Sequence, residues 1–337
     1  MVKCSSMKKN NPNSAPAADH ADMPIIADHI SKSYNKGAVN ALRDVSFEVK
    51  KGELFGLIGP DGAGKTTLFR ILTTLLQADK GQARVSGYDV VKDYKQIRSS
   101  VGYMPGKFSL YQDLTVEENL TFFATLFGTS VAAHYELIKD IYDQIKPFSD
   151  RRAGKLSGGM KQKLALCCAL VHRPTVLFLD EPTTGVDVVS RREFWEMLQQ
   201  LKRQGITILV STPYMEEAVR CDRIALIQNG QLLNIGTPSQ ITDTFPVKLY
   251  AVKAASIYTL LKDLRSWTQA ESCYAFGDLL HVTLGPHTGD DLALIREYAT
   301  AKGHDQVTVQ RIAPSIEDSF IRLTTTNSLQ YGSADQS

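Results

Sequence analysis

The residues best placed to do chemistry are Gly59, Pro60, Asp61, Gly62, Ala63, Gly64, Lys65, Thr66 and Thr67. They form the pattern GxxxxGK followed by Thr, in which a glycine-rich backbone wraps an anion with successive N–H groups. The positive dipole end of the helix that follows favours the same anion. The pattern directs Lys65 to the β- and γ-phosphates of a nucleotide and the Thr66 hydroxyl to Mg2+. A second group is Asp180-Glu181, at the end of the apolar run Val176-Leu177-Phe178-Leu179. Two acids at the carboxyl end of a strand buried on both faces are costly unless a cation sits beside them. Asp180 suits Mg2+, and Glu181 suits orienting or activating an attacking water. A third is Leu156-Ser157-Gly158-Gly159-Met160, where Ser157 is placed to cap a helix whose first N–H groups Gly158 and Gly159 leave open, a second anion-binding terminus. Tyr34 reads either as an aromatic on which a purine stacks or as a tyrosine packed on its own hairpin.

Those groups need a scaffold that brings strand ends and helix starts together. The apolar run Leu54 to Ile58 and the helical pattern Leu68 to Leu76 place the phosphate loop between a buried strand and a helix. Further buried strands are expected at Val101 to Met104, Val176 to Leu179 and Ile206 to Val210, and a hairpin at Asn229-Gly230. Ahead of the loop, Ile25 to Lys50 reads as short strands of a separate sheet. Thr115 and Glu118 make a capping box, as do Ser190 and Glu193, each opening a helix. Strands alternating with helices around such a loop predict a parallel sheet with helices on both faces and the ligand at the strands' carboxyl ends.

The expected organisation is a disordered tail over 1–24, a nucleotide-binding domain over 25–244 with a helical subdomain over about 111–164, a small α+β domain over 245–323, and a flexible tail over 324–337. Net charge is +2 across 337 residues, with acids and bases interspersed, so neither a nucleic-acid field nor an anionic membrane surface is indicated. Five cysteines without metal-ligand spacing predict a reducing compartment, with Cys167 and Cys168 as core fillers. No apolar run reaches the roughly 18 to 20 residues that span a bilayer.

The phosphate loop, the Leu156 to Met160 signature, the strand ending in Asp180-Glu181 and the run Pro182-Thr183-Thr184-Gly185-Val186-Asp187, in that order, resemble the nucleotide-binding subunit of an ABC transporter. The resemblance covers about Ile25 to Thr237. It implies an α/β fold: a P-loop NTPase core with an antiparallel β subdomain, a helical subdomain and, in this chain, the extra α+β domain. It also implies ATP with Mg2+, a head-to-tail dimer with itself or a second ABC ATPase, and integral membrane permease partners, hence a place at the cytoplasmic face of the cell membrane. In such a dimer Ser157, Gly158 and Gly159 would serve the partner's ATP, and Asp187 would lie at the seam. Phe108 to Leu120 (FSLYQDLTVEENL) is similar to drug- and lipid-exporter subunits, whose loop here receives a permease helix. Pro314 to Ile321 is similar to the C-terminal motif of the same branch.

Two positions depart from that pattern. The family places glutamine after the Tyr-Met-Pro strand end, where this chain has Gly106, and histidine after Ser-Thr, where it has Pro213. Neither replacement offers a side-chain donor. The expected function is therefore an exporter ATPase whose own site turns over slowly. The competing readings are a soluble ABC protein without a permease and a non-hydrolysing regulatory subunit.

Overall fold

The computed structural model describes residues 22–286 and 288–331. Most of the expected N-terminal tail, with Cys4, and the end of the expected C-terminal tail lie outside the described residues. The chain divides into two compact units, one ending at Pro238 and the other beginning at Ser239.

In chain order the strands of the first unit are β1 (Ile25–Tyr34), β2 (Val39–Val49), β3 (Leu54–Ile58), β4 (Lys80–Val85), β5 (Tyr88–Asp89), β6 (Val101–Met104), β7 (Val176–Asp180), β8 (Thr207–Thr212), β9 (Arg223–Gln228) and β10 (Gln231–Gly236). They form an antiparallel four-stranded sheet, β2-β1-β4-β5, and a six-stranded sheet, β10-β9-β3-β8-β7-β6. In the larger sheet every neighbouring pair from β9 to β6 is parallel, and β10 alone runs antiparallel, returning from β9. Asn229 and Gly230, at φ 49° and 77°, make the turn that the Asn-Gly pair predicts. Every residue of β3, β7 and β8 is buried. This is why those segments read as apolar runs rather than alternating ones: helices cover both faces.

The helices are α1 (Lys65–Leu72), α2 (Tyr94–Ser100), α3 (Val116–Leu126), α4 (Tyr135–Tyr142), α5 (Gly158–Leu170) and α6 (Val188–Arg203), with a short α7 (Pro238–Asp243) after β10. The apolar face of α1 joins the two sheets. Phe69 meets Phe178 of β7 edge-on at 6.1 Å, and Phe47 of β2 stacks on Phe55 of β3 at 5.5 Å. One buried cluster therefore runs from Ile25 and Val45 through Leu68 and Ile71 to Leu209. Cys167 and Cys168 are buried in α5; burial pushes both thiols up, which keeps them protonated and unreactive.

Two local expectations are corrected. Helix α1 stops at Leu72, short of Leu76, because Thr74 adopts the left-handed φ of 65°. Helix α6 is capped by Asp187, whose Oδ1 accepts the Ser190 N–H at 2.9 Å, so Ser190 and Glu193 form no capping box. Glu193 instead pairs with Lys163 of α5 at 2.8 Å. The Thr115–Glu118 capping box is present and opens α3.

The second unit takes all of α7 but its first residue and then runs β11 (Leu249–Lys253), α8 (Ile257–Ser266), β12 (Ala270–Phe276), β13 (Leu279–Leu284), α9 (Asp291–Ala301), β14 (Thr308–Ile312) and α10 (Ile316–Tyr331). The sheet order β12-β13-β11-β14, antiparallel throughout, is that of a βαββαβ module with an added C-terminal helix. Strands β12 and β14 lie at its edges, where few residues are buried, and so carry little of the apolar patterning by which a strand is recognised.

Candidate nucleotide site

The loop between β3 and α1 requires glycine at two positions by close approach. A Cβ on Gly59 would lie 2.1 Å from the Ile227 carbonyl oxygen, and one on Gly64 would lie 2.4 Å from that of Ala41. Among the described residues no atom lies within 4 Å of a would-be Cβ on Gly62, at φ 78°, so the loop is open on that side. Gly64, at φ 105°, is the N-cap of α1 and supplies no side-chain bond, which leaves the first N–H groups of the helix without a capping side chain.

Lys65 is buried beneath this loop. Its Nζ donates to the Gly59 and Pro60 carbonyl oxygens at 2.8 and 3.0 Å and sits 3.0 Å from Glu181 Oε1. The cation is thus held by two carbonyls and one carboxylate. Glu181 is itself constrained: its φ is 51°, and its N–H is taken by the Ser211 hydroxyl at 3.0 Å and the Ser211 carbonyl at 3.1 Å. A left-handed non-glycine residue is strained, and such strain persists only where the surroundings over-determine it.

Asp180 is 1% exposed, and its Oδ1 accepts the Ser211 hydroxyl at 2.7 Å. Burial holds its carboxyl above the usual carboxylate range, while hydrogen bonds from Ser211 and Thr66 pull the other way. A buried carboxylate still hungry for positive charge, beside a threonine hydroxyl, is a donor pair that fits Mg2+. Among the described residues no cluster of three His, Cys, Asp or Glu could enclose a metal by itself. Mg2+ takes one or two carboxylates and fills its remaining positions from phosphates and water, so the pair suffices.

The sign of that shift makes a prediction. A carboxyl whose folded pKa is raised favours folding most below its unfolded pKa, and the benefit is lost as pH rises to the folded value. At neutral pH the Asp180 carboxylate therefore opposes folding of the nucleotide-free chain. Asp180→Asn should raise the thermal midpoint at pH 7 and abolish the further rise expected of the wild type on adding MgATP. A midpoint lowered in the variant, or an undiminished MgATP shift, would contradict this reading of Asp180.

Tyr34, the last residue of β1, brings its hydroxyl to 3.4 Å from Thr67 Oγ1, next to the phosphate loop. The two departures border the same space. A Cβ at Gly106 would sit 3.0 Å from the Asp180 carbonyl oxygen and 3.7 Å from Glu181 Cβ. Pro213 follows Thr212, whose carbonyl accepts the Gly59 N–H at 3.2 Å. Ser157 caps α5 through the Met160 N–H at 3.3 Å. That helix start packs toward the α6 entrance: a Cβ on Gly159 would meet Ser190 Oγ at 2.6 Å. Among the described residues no hydrogen bond or ion pair joins Ser157, Gly158 or Gly159 to Gly59–Thr67.

Two contributors escaped the sequence reading. Ser211 holds both acids, and its position at the end of a buried strand was the available signal. Glu217 is 3% exposed and accepts the Thr212 and Thr183 hydroxyls on one oxygen at 2.5 and 3.1 Å. Among the described residues its other oxygen has no hydrogen-bond partner and lies 3.7 Å from Arg191 Nε, itself without one there. This carboxylate ties the end of β8 to the turn after Glu181; nothing in the sequence distinguishes it from the exposed Glu216 beside it.

Residues 42–184 match the family described as ABC transporter. The chain is 39% identical over 307 residues to the probable multidrug ABC transporter ATP-binding protein YbhF of Escherichia coli, covering 90% of this chain and 52% of that protein. It thus spans about half the length of that relative. It is 35% identical over 309 residues to the Nod factor export ATP-binding protein I of Burkholderia lata, covering 89% of this chain and 97% of that one. Among solved structures, an ATP-binding subunit of an ABC transporter superposes with a TM-score of 0.60 at 29% identity, over 66% of this chain and 92% of that chain.

Proposed function

The chain belongs to the ABC transporter family of ATP-binding proteins, and from that premise we propose that it binds MgATP and couples it to export through a separate membrane permease. The observation that carries the proposal is the convergence, at the carboxyl ends of β3 and β7, of a phosphate loop, a buried lysine, a threonine hydroxyl and two acids. Lys65 exchanges its backbone carbonyls for phosphate oxygens, and Glu181, released from the ion pair, orients a water. Asp180 and Thr66 would hold Mg2+, which neutralises charge on the phosphates. Tyr34 offers its ring to the base. Ser157, Gly158 and Gly159, which serve no nucleotide on their own chain, would complete the site of a second ATPase subunit.

Coupling is supported by a cavity of about 260 Å3 bounded by α3, α5 and the loop after β6, with Leu75, Tyr103, Phe108, Phe123 and Phe127 among its walls. An apolar groove of this kind suits a short amphipathic helix. In the loop from Phe108 to Leu114, Leu110 is buried and Tyr111 is the large apolar residue left exposed, its ring edge-on to Phe122 at 4.9 Å. Among the described residues no helix is long and apolar enough to cross a membrane.

The test is recovery of the tagged chain from membranes with its permease. Tyr111→Ser together with Phe108→Ser should cut the membrane-bound fraction about tenfold, as loss of two interface aromatics commonly does, and leave ATP affinity unchanged. Membrane binding that survives the double substitution would move the dock elsewhere.

A further inference from the structure

The two faces of the sheet in the second unit differ in chemistry. On one, Tyr250, Val252, Leu280, Val282 and Leu284 pack with residues of α8 and α9 into a closed apolar cluster. The alternate positions point the other way, toward α10, and there β12 and β13 present Ser272, Tyr274, His281 and Thr283. Between these side chains and Asp318, Ile321, Arg322 and Thr325 of α10 lies a cavity of about 310 Å3. A helix that only shields a sheet does so with apolar groups, because buried polar groups cost free energy unless each is partnered.

The polar wall of this cavity is organised. The His281 ring, stacked on Phe276 at 3.9 Å, meets Asp318 Oδ1 through Nδ1 at 2.7 Å. Arg322 Nη2 lies 2.7 Å from Glu271 Oε1, and the Ser272 and Thr283 hydroxyls are 2.7 Å apart. Asp318 also accepts the Ser315 N–H and hydroxyl, at 2.8 and 2.6 Å, which fixes the carboxylate at the start of α10. The Tyr274 and Thr325 hydroxyls are 3.4 Å apart across the strand-to-helix gap. These pairs pin the rotamers of the wall, so the space they enclose is preformed.

We propose that this cavity is a binding site for a small, neutral, polyhydroxylated molecule of about monosaccharide size. Its carboxylates are both engaged, Asp318 with the His281 ring and Glu271 with the Arg322 guanidinium, so a net anion meets Glu271 and Asp318 and a net cation meets Arg322. Four hydroxyls, on Ser272, Tyr274, Thr283 and Thr325, can each donate or accept, as can those of such a ligand. Phe245, Leu249 and Ile321 supply the apolar wall on which the C–H face of a ring packs. The volume lies at the lower limit for small-molecule pockets, roughly 300 Å3. This site is independent of the nucleotide pocket and of its reading.

The experiment uses the full chain, titrated calorimetrically with glucose, galactose, mannose and inositol, and with alanine, aspartate, lysine and inorganic phosphate as zwitterionic and charged comparators. At least one neutral probe should saturate with a Kd below about 10 mM. The paired change Ser272→Ala and Thr283→Val, which removes both partners of one hydroxyl pair, should weaken that probe about tenfold. Because both partners go together, the thermal midpoint of the variant should stay level or rise, which separates a lost site from a lost fold. Three results would each overturn the proposal: no neutral probe saturating in that range, a probe binding the variant equally well, or preference for a zwitterionic or charged comparator.

Discussion

Lys65→Ala should reduce MgATP affinity by about a hundredfold or more. The lysine is 3% exposed, and the groups that hold it, the Gly59 and Pro60 carbonyls and Glu181, all border the loop where the phosphates are expected. A hydrogen bond to a charged group contributes about 1.5–3 kcal/mol, and this cation makes several toward the β- and γ-phosphates in the proposed complex. Two such contacts correspond to about two to four powers of ten in affinity. The change also leaves Glu181 without its counter-charge, so two neighbouring carboxylates would then face the incoming phosphates with no fixed cation between them. Lys65→Arg is the sharper control: the guanidinium keeps the charge but cannot occupy a slot that closes on an ammonium from two carbonyls, and it should fail nearly as badly. Equilibrium binding of a fluorescent ATP analogue measures both. Wild-type affinity in Lys65→Ala would remove the nucleotide from this loop.

What the sequence made legible was whatever the chain determines locally. The phosphate loop, the Asn229-Gly230 turn, the Thr115–Glu118 box and the buried strands each depend on residues within a few positions of one another, and each is present. What it hid was the part set by long-range packing. Ser211 and Glu217 gain their roles only because β8 lies beside β7, a neighbour some thirty positions earlier in the chain, which brings Ser211 to Asp180 and Glu217 to Thr183. Competition between caps was likewise invisible. Asp187 and Ser190 are both good cap residues, and Asp187 prevails because starting the helix there adds nearly a full turn and leaves Glu193 to pair with Lys163. The edge strands β12 and β14 carry little signal for the opposite reason, since an edge exposes the side chains whose burial makes a pattern. The polar face beneath α10 could not be read at all, because alternation of polar and apolar residues in β13 looks the same whether the polar side meets solvent or a second helix.

The last expectation concerns which of two paired sites fires. On the proposed reading, this chain offers an intact helix start at Ser157, Gly158 and Gly159 but borders its own pocket with Gly106 and Pro213, neither of which has a side chain able to reach a phosphate or a water. A homodimer would repeat that deficiency in both sites. A heterodimer with a second ATPase carrying glutamine and histidine at the matching positions would place hydrolysis at the partner's phosphate loop, against Ser157 of this chain. ATP held at this chain's loop would then stabilise the closed dimer by mass action, without needing to turn over. The consequences for mutants are opposite to those for a symmetric enzyme. Glu181→Gln in this chain should lower turnover of the pair by less than about twofold, because the carboxylate belongs to the idle site. Ser157→Ala should lower it about a hundredfold, the usual effect of deleting one donor aimed at transition-state charge. Phosphate release from the purified chain, alone and mixed with the partner ATPase, decides between them. Fast turnover by the lone chain that Glu181→Gln abolishes would mean that Gly106 and Pro213 are compensated from elsewhere. The side chains in the same loop that could supply that compensation are Lys107 and Gln112.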